Sequence, residues 1–228
     1  AFFMLNEWKD ALNSGDLQLV ITSTIGQILL WILALVLLLV IAIVSGRKQT
    51  TKVKVKQLVY SAIAITIATV FSFVKFITLP QGGSITLFSM LFVVLIGYWY
   101  GVKQGLLSGM VFGILQLILQ GWVLHPIQLI LDYPLAFAML GLSGLFKNSE
   151  NGLLKGLILG AFGRFLCHFI SGIVFFGSYA IEGFSTAAYS AAYNIAYVGG
   201  EVFLTAILIM IPALDQALKT IKKAAISD

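Results

Sequence analysis

Apolar runs of helix length, broken by short polar segments, follow one another from residue 19 to residue 214. A helix needs about 20 apolar residues to cross a bilayer, and hydrocarbon admits only backbone whose hydrogen bonds are satisfied internally. This pattern restricts the chain to a bundle of membrane helices. Of its 228 residues 60% are hydrophobic and 10% charged, more apolar surface than a water-soluble domain can cover. Alternation of period two is absent, which argues against a membrane β-barrel.

The chain therefore reads as an all-α integral membrane protein with seven spans. The first lies at 19–44, after a mixed segment containing Trp8 that suits the membrane interface. The others lie at 58–79, 85–100, 103–120, 127–146, 154–176 and 186–214. Two parts are expected: residues 1–56, an N-terminal span with its basic linker, and residues 57–228, a six-helix domain. PQGGS at 80–84 is read as a turn. Gly101, Gly105, Gly109 and Gly113 recur every four residues, one face of a helix that a neighbour can approach closely.

Charge sets the orientation. Arg47, Lys48, Lys52, Lys54, Lys56, Lys103, Lys147, Lys155, Lys219, Lys222 and Lys223 fall on one side, against Lys9 and Lys75 on the other. The rich side is predicted to be cytoplasmic, with the amino terminus outside and the carboxyl terminus inside. This distribution accounts for the net charge of +5 without nucleic-acid binding. Cys167, the single cysteine, reads as a small buried residue far from any metal-ligand pattern.

Ionisable groups inside apolar spans are costly and mark sites or staples. Asp132 lies near the outer end of its helix, and Arg164, His168 and Gly172 share a face at i, i+4 and i+8. Tyr189, Tyr193 and Tyr197 form a second stripe, with Asn194 beside it and Glu201 one turn on. Asp132 and Arg164 are either a structural ion pair or part of a site. A carboxylate, a histidine, an amide and several aromatics suit a flat, polar, cationic ligand. An ATPase-independent transporter or receptor for such an amine is one reading. GLSG at 141–144 has the form of the intramembrane protease nucleophile motif, but Ser143 and His168 stand about 10 Å or more apart along the helix axes, beyond the reach of a nucleophile–base pair. No P-loop is present, so the chain itself does not hydrolyse ATP through one.

QGGS after the first core helix, the glycine repeat, LDYPLAFAMLGLSGLF, and GRFLCHFISGIVFFGSYA followed by AAYSAAYN carry a resemblance. Residues 57–223 resemble the thiamine-specific substrate-binding (S) component of energy-coupling factor (ECF) vitamin transporters. The resemblance implies a six-helix bundle that binds thiamine with high affinity near the outer face and uses no cofactor. It also implies docking on a coupling transmembrane subunit and two ATPases. It places ligand contacts on Asp132 (shortened from Glu), Tyr133, Arg164 (where the family has Lys), His168, Gly172, Phe176, Tyr189 and Asn194. A stacking Trp of some members falls on Phe176, another on Gly83 and a third near Phe112. Small residues Ala62, Ala64 and Ala68 are the implied contact with the coupling subunit.

Overall fold

The computed structural model describes residues 2–15, 19, 20, 23–29, 32 and 55–227. Most of the predicted span at 19–44, and Arg47, Lys48, Lys52 and Lys54, lie outside the described residues. The amino-terminal segment forms helix α1 (Phe2–Ser14).

Among the described residues six helices form the bundle: α2 (Val55–Ser72), α3 (Ser89–Tyr100), α4 (Val102–Gln120), α5 (Pro126–Phe146), α6 (Gly152–Phe175) and α7 (Thr186–Met210). All but α3 are long and apolar enough to cross a membrane. α3 has 12 residues, nine of them buried, and sits at the centre of the core. Its sequence MLFVVLI is apolar on every side, as a helix surrounded by protein requires.

The chain is not wholly helical. Strands β1 (Lys75–Thr78) and β2 (Ser84–Thr86) pair as an antiparallel hairpin where the second span was expected to continue and the third to begin. KFIT is rich in residues that suit a strand, and Gln81 and Gly82 take positive φ values of 60° and 89° to reverse the chain. The Leu79 N–H closes the turn on the Gly83 carbonyl at 2.7 Å. Phe88, at φ 57°, then delays the start of α3 to Ser89.

Close helix packing positions the rest. Gly101 is not on the α4 face as predicted; at φ 93° it forms the turn between α3 and α4. Gly105, Gly109 and Gly113 do share that face, against α5. A Cβ at Gly109 would stand 2.3 Å from the Phe137 carbonyl oxygen, and one at Gly113 would stand 2.4 Å from that of Tyr133. Both obstacles are backbone. Gly109→Val is therefore expected to cost about 1–3 kcal/mol or more, read as a lowered Tm of the detergent-solubilised protein.

The buried face of α2 is Ser61, Ala64, Ala68 and Ser72. Ser61 accepts from Gln104 Nε2 at 3.1 Å, and Ser72 from Gln116 and Gln120 of α4, both at 3.0 Å. Ala64 and Ala68, expected at the contact with the coupling subunit, are turned into the bundle. Their small side chains allow close approach inside the bundle, while Ala62 stands on the exposed side with Leu58, Val59 and Ile63.

Two helices widen at the residues of interest. Pro134 has no N–H to give, and a π turn at Leu131–Leu135 accommodates it, with the Ala136 N–H reaching back to the Leu131 carbonyl. A second π turn at Ile195–Gly199 follows Asn194 in α7. Beyond α7 follows an amphipathic helix, α8 (Pro212–Ile226). It folds back on the bundle: Tyr100 donates to the Ala225 carbonyl at 3.2 Å, and Lys222 lies 3.5 Å from the Tyr98 ring centroid and donates to the Lys147 carbonyl. Desolvation there, with Lys147 nearby, lowers the Lys222 pKa.

Candidate functional site

The hairpin, the 121–125 connection and the 176–185 connection gather at the end of the bundle opposite α8. Beneath them lies a cavity of about 370 Å³. All eight predicted ligand residues line it, contributed by α5, α6, α7 and the α6–α7 connection.

Asp132 is the polar centre. Its Oδ1 lies 2.9 Å from His168 Nδ1, and its Oδ2 accepts from Gln128 Nε2 at 2.7 Å and Ser171 Oγ at 2.8 Å. Gln128 is itself held by the Trp122 carbonyl at 2.9 Å and the Leu124 N–H at 3.0 Å. Three polar partners on one side chain that is only 13% exposed hold the carboxylate in a single orientation.

The ion pair of Asp132 with Arg164 does not form. The His168 ring stands between them: Arg164 Nε donates to His168 Nε2 at 3.3 Å, and the guanidinium lies 4.3 Å from the Phe137 ring centroid. The four-residue spacing on α6 lets Arg164 reach up one turn to the histidine instead of crossing to α5. Arg164 is 8% exposed, so its charge is balanced through the ring and across the aromatic face.

Gly172 makes room for a neighbouring helix. A Cβ there would meet Ser190 Oγ at 2.1 Å, so the glycine admits α7. Ser190 donates to the Phe169 carbonyl at 2.9 Å, and Asn194 Nδ2 donates to the Ser190 carbonyl at 2.8 Å and the His168 carbonyl at 3.3 Å. With its NH2 spent in the protein, Asn194 can offer a ligand its carbonyl oxygen.

Aromatic rings enclose the space. Tyr197 meets the His168 ring edge-on at 5.9 Å, Tyr193 meets Tyr197 at 5.6 Å, and Phe176 tilts onto Tyr179 at 6.1 Å. Tyr133 closes the 121–125 connection by accepting from the Trp122 N–H at 2.6 Å. Tyr193 donates to the Pro80 carbonyl and accepts from the Gly83 N–H at 2.8 Å, and Tyr189 donates to Gln81 Oε1 at 3.3 Å. A Cβ on Gly83 would collide with the Tyr193 hydroxyl at 2.5 Å. The ring of Tyr193 thus fills the space a larger residue at 83 would take. Phe112 is fully buried edge-on to Phe137 and is not part of the lining.

Glu201, 2% exposed, also reaches this end. Its carboxylate accepts from the Thr86 N–H at 3.2 Å, Ser89 Oγ at 3.2 Å and the Met90 N–H at 3.1 Å. It caps the amino terminus of α3 from another helix, where free N–H groups and the helix dipole favour an anion. Sequence reasoning noted Glu201 without this role and missed Gln128 and Ser171. Helical spacing was the available signal: Gln128 is four residues before Asp132 and Ser171 three after His168.

Ser143 is fully buried on the turn ending α5 and donates to the Val94 carbonyl at 2.8 Å. It is a packing residue, outside the cavity lining. Among the described residues no group of three or more His, Cys, Asp and Glu side chains is placed to hold a metal ion.

Fold and site together define a helical membrane protein with an enclosed polar pocket at one end of its bundle. The chain belongs to the thiamine transporter protein family (Thia_YuaJ), which it matches over residues 58–221. It is 33% identical over 148 residues to the thiamine transporter ThiT of Bacillus subtilis (strain 168), covering 59% of this chain and 77% of that protein. To the thiamine transporter ThiT of Lacticaseibacillus paracasei it is 34% identical over 94 residues, covering 36% of this chain and 45% of the other. A solved structure of ThiT from Listeria monocytogenes superposes with a TM-score of 0.64 at 27% identity, covering 74% of this chain and 96% of that one. The family is one of transport proteins and not of enzymes, and the chain is a multi-pass bacterial membrane protein.

Proposed function

We propose that this chain captures thiamine at the outer face of the membrane with high affinity, as the S component of an ATP-driven ECF importer. The observation that carries the reading is Asp132, held by His168, Gln128 and Ser171 in a pocket walled by aromatic rings. Thiamine joins an aminopyrimidine to a cationic thiazolium ring. The amine donates to Asp132, with the Asn194 carbonyl oxygen as second acceptor. His168, Tyr133, Phe176 and Tyr189 enclose the rings, and aromatic faces attract the thiazolium charge. Arg164 stands behind His168.

The orientation is supported by the basic residues. Lys56, Lys103, Lys147, Lys155, Lys219, Lys222 and Lys223 belong to the α8 end of the bundle, which is then cytoplasmic, and the pocket opens outside. With the span at 19–44 this makes seven crossings, amino terminus out. Docking on a coupling subunit with two ATPases then drives release inside. An ATPase-independent transporter for a flat cationic amine is the rival.

The test is calorimetric titration of thiamine into protein purified without the vitamin, with affinity capture of the chain from the membranes of its host. Sub-micromolar binding and co-purification of one coupling subunit with two ATPases are expected. Binding no tighter than micromolar would remove the capture role, and tight binding without the ATPases would favour the rival.

A further inference from the structure

The contact between Arg164 and His168 carries information that the carboxylate contacts do not. A guanidinium has five N–H donors, no acceptor, and does not lose its proton in proteins. Arg164 Nε, 3.3 Å from His168 Nε2, therefore requires a lone pair on that nitrogen. The ring's remaining proton is then on Nδ1, 2.9 Å from Asp132 Oδ1, where it is donated to the carboxylate. The whole network agrees on proton placement: Gln128 and Ser171 also donate to Asp132, so every neighbour treats it as an anion.

We propose that Arg164 is a positioning residue that acts on the ligand through His168, by fixing the neutral Nδ1–H tautomer and so keeping Asp132 an ionised acceptor. This rests on the reading of the pocket as a thiamine site and adds its selectivity. The pocket keeps an anionic acceptor and no spare proton at Asp132, so it takes ligands that donate there, an amine or amidine edge, and rejects those offering a lone pair. Without the Arg164 donor, the Nε2–H tautomer would turn the Nδ1 lone pair against Asp132 Oδ1. The ring or the carboxylate would have to gain a proton to avoid that repulsion.

The experiment uses ¹⁵N NMR of the full chain labelled at histidine, in detergent. The chain has two histidines, and His125→Asn assigns the spectrum, because His125 lies outside the cavity lining, where it accepts from the Ile127 N–H at the start of α5 and stacks on Phe175. In the wild type, His168 is expected to show a pyridine-like Nε2 and a protonated, pyrrole-like Nδ1. Arg164→Met is expected to lose that signature and to weaken thiamine binding by about tenfold or more, the worth of one charge-assisted hydrogen bond. Arg164→Lys, which also can only donate, is expected to restore the signature. The His125 resonances report that each variant is folded. An imidazolium or Nε2–H ring in the wild type overturns the proposal even if Arg164→Met does not fold, and so does an unchanged signature in folded Arg164→Met. If the wild type shows the expected tautomer but does not bind thiamine, the functional reading fails and the tautomer assignment stands.

Discussion

Asp132→Ala is expected to raise the dissociation constant for thiamine by about ten- to a hundredfold, since a hydrogen bond to a charged group is worth about 1.5–3 kcal/mol and each 1.4 kcal/mol is tenfold. Two effects combine. The ligand amine loses its charged acceptor, and the Arg164 charge behind His168 is left with no anion at this end of α5 to offset it. Gln128, Ser171 and His168, which all turn toward the carboxylate, also lose their common partner. Asp132→Asn keeps the shape, but its NH2 meets groups that already donate, so it should fall between wild type and alanine. Calorimetry on vitamin-free protein checks both. A loss for Asp132→Ala of less than about threefold, under 1 kcal/mol, would place the ligand elsewhere.

The second large effect is expected on stability. Glu201→Ala would take the acceptor from the Thr86 and Met90 N–H groups, where Thr86 and Met90 are both buried. Each unsatisfied buried donor costs about 1–3 kcal/mol, so a loss of about 2–6 kcal/mol is expected for the two, seen as a lowered Tm in detergent. Glu201→Gln retains an acceptor oxygen and should recover part of it. A Tm within experimental error of wild type for Glu201→Ala would show that the cap is dispensable.

Much of the site was legible from spacing. Arg164, His168 and Gly172 at four-residue steps had to share a helix face, and an acid inside an apolar run had to find partners. The resemblance then tied these residues to one ligand. Less legible were the partners. Whether Arg164 reaches Asp132 or stops at His168 depends on where α6 stands relative to α5, a distance between helices that no spacing within one helix specifies. Ala64 and Ala68 show the same limit: small residues announce close approach, and only the packed bundle shows that α2 spends them on its own neighbours.

The amino-acid sequence by itself determined the membrane class, the helices from residue 58 onward other than the hairpin region, and the charge asymmetry, because these follow from local hydrophobicity and from periodicities along one chain. Only the tertiary structure decided that KFIT leaves the helix to pair as a strand, that Tyr193 fills the space above Gly83, and that Glu201 caps a helix over a hundred residues away. Each of these joins groups remote in sequence. Their energy comes from satisfying buried donors and filling space, and both depend on which elements have already come together.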